Sequence, residues 1–158
     1  MYPQARGWAP DAQPLQIVSL NLAQVKADQG KAGAWQVIFV SPSRGKAKTY
    51  TYSAVEAEGN LHEGVFGGIE EDYTARGDSS PFLMGAIKVD SDEAYKTAAE
   101  KSADYMKKNP GKPVMFLMEL SKRFPDVTWR VIWGGSVGTS DYSVYVDGTT
   151  GQYLEKMH

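Results

Sequence analysis

The stretch from Thr128 to Leu154 most constrains the fold, because two alternating apolar runs follow each other there with glycines between them. Trp129, Val131 and Trp133 recur at every second position, the period of a β-strand whose large side chains share one face. A second run alternates in the same way and ends in the turn sequence DGTTG, before a third short strand at Tyr153-Leu154. The stretch therefore predicts an antiparallel meander.

The first half of the chain predicts a second meander. Ala34 to Ser41 and Lys48 to Glu56 alternate as strands on either side of a Pro- and Gly-containing loop, and Leu61 to Phe66 can form a short further strand. Leu15 to Leu22 alternates as a strand, although its apolar residues also fit a helical spacing. We favour the strand because of the repeat described below. Gly67 to Pro81 predicts a linker.

One clear helix is predicted from Ser91 to Asn109. Asp90 supplies an N-cap, with Glu93 at the capping-box spacing three residues later. Asn109-Pro110-Gly111 ends the helix. Its apolar stripe is rich in small residues, which allows a helix to lie close to a sheet; the stripe consists of Tyr95, Ala98, Ala99, Ser102 and Met106.

The two meanders are similar in sequence. Trp35 to Phe39 matches Trp129 to Trp133, and Tyr50 to Val55 matches Tyr142 to Asp147. Such self-similarity predicts two copies of one unit; a chance match between two meanders is the alternative. The predicted fold class is α+β, with two tandem helix-on-antiparallel-sheet units. The first unit (residues 1–67) has only a short helix, residues 68–89 form a crossover, and residues 90–158 form the second unit.

The second unit resembles a PepSY-type module, through a W-x-V strand at Trp129 and Val131 and a V-D-x-x-T-G turn that starts at Val146. The tandem arrangement is similar to that of beta-lactamase inhibitor proteins, although this chain lacks their cysteines. The resemblance implies a non-catalytic binding or inhibitory module of bacteria, usually periplasmic or secreted. The first 13 residues lack the charged start and apolar run of a signal peptide, so the location stays open.

The amino-acid composition limits the classes of partner that the protein is expected to bind. The 17 basic and 19 acidic residues give a net charge of −2, which argues against a nucleic-acid or membrane-surface partner. No apolar run approaches the roughly 20 residues of a membrane span. Without cysteine the chain has neither a disulfide nor a thiolate metal site, and no cofactor or metal pattern is present.

Catalytic residues are not predicted, and we expect that the protein is not an enzyme. His62 and His158 are its only histidines. Acyl transfer would require His62 to meet a nucleophile such as Ser41 or Ser43, and nothing in the spacing favours that. A solvated histidine at the end of a strand is the simpler interpretation.

Aromatic residues on the predicted strands are the remaining functional signal. Each ring either packs in the core or lies on an accessible sheet face, where Tyr and Trp suit partner binding. We predict a non-catalytic module that presents such a face to a protein or peptide. The alternative is a small-ligand carrier with a pocket between helix and sheet or between the two halves. The candidate binding residues are Trp35, Phe39, Tyr50, Tyr52, Trp129, Trp133, Tyr142 and Tyr145.

Overall fold

The computed structural model describes residues 1–22, 29–57, 61–75, 77–138 and 142–157. His158 and the predicted turn at residues 58–60 lie outside these ranges. The described elements are α1 (Tyr2–Trp8), β1 (Gln13–Leu20), β2 (Ala34–Ser41), β3 (Lys46–Ser53), β4 (Gly64–Asp72), β5 (Ser79–Ser80), a short 3-10 helix (Met84–Ala86), α2 (Ser91–Glu100), α3 (Ala103–Lys108), β6 (Val114–Ser121), β7 (Thr128–Trp133), β8 (Tyr142–Asp147) and β9 (Tyr153–Met157).

The sheet dominates the molecule, and the α+β class is confirmed in that form. Nine strands form one antiparallel sheet in the order β4-β3-β2-β1-β6-β7-β8-β9, and β5 pairs with the end of β6. Two meanders, β1 to β4 and β6 to β9, therefore meet edge to edge at β1 and β6. Among the described residues, no helix has the length and apolar character to cross a membrane.

The strand prediction for Leu15 to Leu22 is confirmed for most of its length, since β1 spans Gln13–Leu20. β1 is hydrogen-bonded on both sides, to β2 from Gln13 to Leu20 and to β6 from Gln16 to Val18. A helix would satisfy its own backbone and leave the two meanders unconnected. Pairing with both neighbours therefore decides between the two periodicities that the sequence allows.

The predicted linker from Gly67 to Pro81 is wrong over its first part, because β4 continues to Asp72. The strand also runs past the predicted end of the first unit at residue 67. Its acidic residues contact bases on the neighbouring hairpin: Asp72 pairs with Lys46, and Glu70 lies 2.6 Å from Arg44. Glu70 also accepts the indole N–H of Trp8 at 2.9 Å. The composition of this acidic run indicates a solvated linker, but the run forms part of β4 and its side chains pair with basic residues of the neighbouring hairpin.

The predicted helix from Ser91 to Asn109 is two helices, α2 and α3, separated at Lys101 and Ser102. Ser102 is buried, and its hydroxyl lies 2.9 Å from the hydroxyl of Tyr142. The ring of Tyr105 stacks on Tyr142, with centroids 4.1 Å apart. The helix is therefore interrupted where a polar side chain and a ring meet the first residue of β8. The predicted N-cap is confirmed, since the Asp90 side chain accepts the Ser91 N–H at 2.7 Å.

α1 and α2 pack on the same face of the sheet, called the helix face below. Trp35 joins the core under α2, whereas Val37 and Phe39 join the core under α1. These three residues alternate along β2 and so share one face. Ile17 of β1 contacts both cores, so the two meanders share a continuous apolar layer.

Candidate ligand groove

An apolar groove of about 370 Å3 opens on the helix face, above the junction of the two meanders. It lies between α1, which covers the first meander, and the crossover segment 84–90, which leads into α2. Among the described residues eleven line it, and a single one of them has a charged side chain: Met1, Tyr2, Pro3, Ile17, Trp35, Val37, Phe39, Met84, Ile87, Asp90 and Trp129. This groove, so defined, is the candidate functional site.

The floor of the groove is built from the inward faces of β1, β2 and β7. Ile17 supplies its centre, and Trp35 and Trp129 meet across the junction with ring centroids 6.1 Å apart in an edge-to-face arrangement. The Trp129 indole N–H is satisfied, since it donates to the Val89 carbonyl at 2.8 Å. Trp35 is only partly buried. It therefore retains ring surface that a ligand can cover.

α1 forms one wall. Ala5 and Ala9 are completely buried, so the helix lies close to β2 and β3. This brings the ring of Tyr2 onto Phe39, with centroids 6.2 Å apart and planes 25° apart. Pro3 stands in the first turn, where its missing N–H costs no hydrogen bond. The wall is therefore held from below by small residues and presents larger ones to the groove.

The crossover segment forms the other wall and is fastened by the DGTTG turn. The Gly148 carbonyl accepts the N–H groups of Lys88 and Val89 at 3.0 Å, and the Thr149 hydroxyl donates to the Ala86 carbonyl at 2.8 Å. Asp147 holds the turn, because its Oδ1 accepts the N–H groups of Thr149 and Thr150. The turn thus positions the segment that carries Met84 and Ile87.

A smaller cavity of about 290 Å3 adjoins the groove and is more polar. Trp35 and Asp90 line both spaces, and Lys31 and Asp92 contribute charge only to the smaller one. Asp90 forms no ion pair with any residue that the structure describes, and its side chain accepts the Ser91 N–H as the cap of α2. The apolar groove therefore ends at a charged mouth.

Five of the eight candidate binding residues are core residues and do not present an accessible surface, which narrows the predicted aromatic face. Phe39, Tyr50, Trp129, Trp133 and Tyr142 are each at most 4% exposed, because the helices pack on the face that carries them. Among these, Phe39 and Trp129 still line the groove.

The other three rings retain accessible surface in three different places. Trp35 lies at the groove, and Tyr52 is 38% exposed on β3. Tyr145 lies on the opposite face from Tyr142, where its ring is 5.2 Å from that of Phe124. The eight rings therefore do not form one surface.

The residues considered for catalysis are not brought together. His62 is exposed, and its Nδ1 lies 3.1 Å from a carboxylate oxygen of Glu56. Ser41 is buried and donates its hydroxyl to Asp11 at 2.6 Å. Within the described ranges, no three or more His, Asp or Glu side chains are grouped so as to hold a metal ion.

Several groove residues were missed by sequence reasoning. Tyr2 and Pro3 belong to the short first helix, and Met84 and Ile87 belong to the predicted crossover, residues 68–89. The signal for Met84 and Ile87 in the sequence is the apolar content at the end of this crossover, which is unusual for a solvated segment. Their meeting over Ile17 depends on the order of the strands, which periodicity does not specify.

Comparison with known proteins gives a likeness of fold. No protein-family model matches the chain, and no curated protein matches it. The crystal structure of a putative lipoprotein from Clostridium difficile 630 is similar, with a TM-score of 0.58 and 11% sequence identity. The match covers 99% of this chain and 88% of that one, so the likeness extends over the whole described architecture.

Proposed function

We propose that the protein is a non-catalytic binding protein that holds a small apolar ligand in the groove between α1 and the crossover segment. The observation that carries this proposal is the groove itself. Its volume of about 370 Å3 falls within the roughly 300–1,000 Å3 of small-molecule sites, and its lining is almost entirely apolar. Of the two binding modes that the sequence leaves open, this is the one with a pocket between the halves.

The lining residues suit an apolar ligand of variable shape. Trp35 and Tyr2 are partly buried, so a ligand would remove their remaining apolar surface from water. Such burial contributes about 25 cal/mol per Å2. Met84 adds a flexible, polarizable side chain that can adapt to the ligand.

The proposal is tested by filling the groove. Met84→Trp places a larger side chain at the groove wall, and Leu83→Trp places the same side chain on a neighbour that is 64% exposed and does not line the groove. We expect the neutral fluorescent probe N-phenylnaphthylamine to bind the parent protein and Leu83→Trp alike, and Met84→Trp at least about tenfold more weakly, because about 1.4 kcal/mol of lost contact gives that factor. Absence of probe binding to the parent protein would refute the proposal.

A protein partner is the second candidate, favoured by a cluster on the face opposite the helices. The Arg123 guanidinium lies 4.9 Å from the Tyr145 ring centroid, and that of Arg130 lies 5.9 Å from it. Phe124 packs beside Tyr145. Tyrosine and arginine are enriched among the residues that dominate protein interfaces.

Inhibition assays against secreted proteases and hydrolases test the second candidate. Tyr145→Ala should weaken inhibition at least about tenfold, the loss typical of a central interface residue, and Met84→Trp should leave inhibition unchanged. Equal inhibition by Tyr145→Ala and the parent protein would rule out this surface.

A tandem origin from two PepSY-like units is part of the same proposal. The strand order supports it, since each meander runs in sequence order away from the central β1–β6 pair and is preceded by a helix on the helix face. Trp35 and Trp129, matched in the sequence repeat, both lie in the core under α2. The resemblance also carries the expectation of an extracytoplasmic location, with which the fold of the similar lipoprotein agrees.

A further inference from the structure

We infer that the groove selects amphipathic small molecules with a cationic head, that is, an apolar body bearing an ammonium group. The inference rests on the proposed binding function and adds the class of ligand. The body would lie along Ile17, Phe39 and Trp129, and the head would lie at the charged mouth beside Asp90.

Asp90 is the residue that links the two spaces. Among the described residues it is the single charged side chain of the groove lining, and it also lines the adjoining cavity. It is exposed, and no base that the structure describes is paired with it. A ligand whose body fills the groove would therefore bring its head to a carboxylate that forms no ion pair with the described residues.

Among the residues that the structure describes, acidic side chains outnumber basic ones at the mouth. Asp90 and Asp92 contribute two carboxylates, and Lys31 contributes one ammonium group. Lys31 forms no ion pair within the described part of the chain and lines only the smaller cavity, whereas Asp90 borders the groove itself. A cation at the end of the groove thus meets the carboxylate before it meets the lysine.

Trp35 adds a second attraction for a cation, because it lines both spaces and is partly buried. An ammonium group within about 6 Å of an indole face is attracted by the negative face of the ring. A carboxylate head gains nothing from the ring face. The Asp90 carboxylate and the Trp35 ring therefore both favour a positively charged head group.

Two effects keep the preference modest. The positive N-terminal end of α2 faces the mouth and offsets part of the charge of its own cap, Asp90. The carboxylates are exposed, and water weakens the attraction within exposed ion pairs. We therefore expect a two- to fivefold preference, roughly, at low salt, and a smaller one as salt screens the charges.

Three probes with the same apolar chain test the inference by titration calorimetry: octylammonium, octanol and octanoate. Octylammonium should bind about two- to fivefold more tightly than octanol, and octanoate more weakly than octanol. In Asp90→Asn, the ratio of octylammonium affinity to octanol affinity, measured on the same variant, should fall to about one. Asparagine is as good an N-cap as aspartate, so the variant removes the charge and keeps α2.

Asp104→Asn is the matched control, because Asp104 is an exposed acid of α3 that lines neither space. It should keep the preference for octylammonium. A parent protein that binds octanol but prefers octanoate, or an Asp90→Asn variant that keeps the cation preference, would overturn the inference and leave the binding function standing. Failure of all three probes to bind would reject the inference, and the binding function as well if N-phenylnaphthylamine also failed to bind.

Discussion

Gly30 brings the loop before β2 into contact with the first turn of α2. Its φ is +89°, and a Cβ at this position would lie 2.6 Å from the Cα of Asp92 and 2.7 Å from the Ser91 carbonyl oxygen. The Ser91 hydroxyl donates to the Gly30 carbonyl. Only glycine allows this approach, since any side chain meets both a backbone clash and an unfavourable φ.

Gly30→Ala should therefore destabilise the protein by more than the roughly 1–3 kcal/mol of a strained φ alone. Gly111→Ala is the control, because Gly111 also has a positive φ of +75° but no atom within 4 Å of an added Cβ. Urea unfolding of both variants separates the two costs. Equal losses of unfolding free energy would mean that the contact with α2 relaxes freely.

Asp11 connects the end of α1 to the hairpin between β2 and β3. Its carboxylate accepts the Ser41 hydroxyl at 2.6 Å and the Ser43 N–H at 2.8 Å. These hydrogen bonds, that from the Ser41 hydroxyl first, lower the pKa of Asp11 from its ordinary 3.8 to about 2. The charged form is therefore favoured in the folded state.

This lowered pKa predicts a dependence of stability on pH. Because the pKa is depressed on folding, the contribution of Asp11 is complete above its ordinary pKa of 3.8 and is lost as the pH falls toward about 2. Asp11→Asn should flatten the fall in unfolding free energy over that interval. In Ser41→Ala, NMR titration should show the pKa of Asp11 closer to its ordinary value; an unchanged pKa would exclude the hydroxyl as its cause.

At the scale of elements, the DGTTG turn does more than connect β8 to β9. Asp147 Oδ1 accepts two backbone N–H groups, and Gly151 has a φ of +79°, the left-handed region that glycine adopts at little cost. The Gly148 carbonyl then fixes the crossover segment. The turn whose sequence resembles the PepSY-type V-D-x-x-T-G motif therefore supports one wall of the groove.

Asp147→Ala should remove both acceptor contacts and lower the unfolding free energy by about 1–3 kcal/mol. Asp147→Asn retains an acceptor oxygen and should lose less. Asp147→Ala should also weaken the binding of N-phenylnaphthylamine more than Asp147→Asn does, because the crossover wall of the groove depends on the turn. Urea unfolding and probe titration measure the two effects; equal loss in both variants would show that the charge, and not the acceptor geometry, holds the turn.

At the scale of the whole molecule, the junction of the two meanders is narrow. β1 and β6 pair through three residues each, Gln16 to Val18 with Leu117 to Glu119. Next to this pairing, the Ser19 side chain forms a further hydrogen bond to β6. The side chain is completely buried, and its Oγ accepts the Phe116 N–H at 2.8 Å. One hydroxyl therefore extends the connection beneath the groove.

Ser19→Ala should leave the buried Phe116 N–H without an acceptor and cost about 1–3 kcal/mol of unfolding free energy. Ser80→Ala, at an exposed serine of β5, is the control and should change stability little. Hydrogen exchange of the Phe116 amide gives a local readout, and we expect it to accelerate in Ser19→Ala. An unchanged exchange rate would contradict the assigned role.

The sequence by itself determined most strands, the start of α2 and the face that Trp35, Val37 and Phe39 share. These follow from period-two alternation and from capping, which act between residues close in the chain. The break at Ser102 and the extension of β4 to Asp72 were not predictable in this way. Their causes, the contact with Tyr142 and the ion pair with Lys46, join residues distant in sequence.

The candidate site also depends on contacts between residues distant in sequence, so the sequence alone did not predict it. The aromatic residues on the strands predicted a binding surface, but the tertiary structure buried five of those eight rings, and of the eight it places Trp35, Phe39 and Trp129 at the groove. Its walls come from the first helix and the crossover, its floor from β1, β2 and β7. The pairing of β1 with β6 brings these parts together. Strand order is set by hydrogen bonds and burial between residues distant in sequence, and the periodicity of the sequence does not specify these contacts.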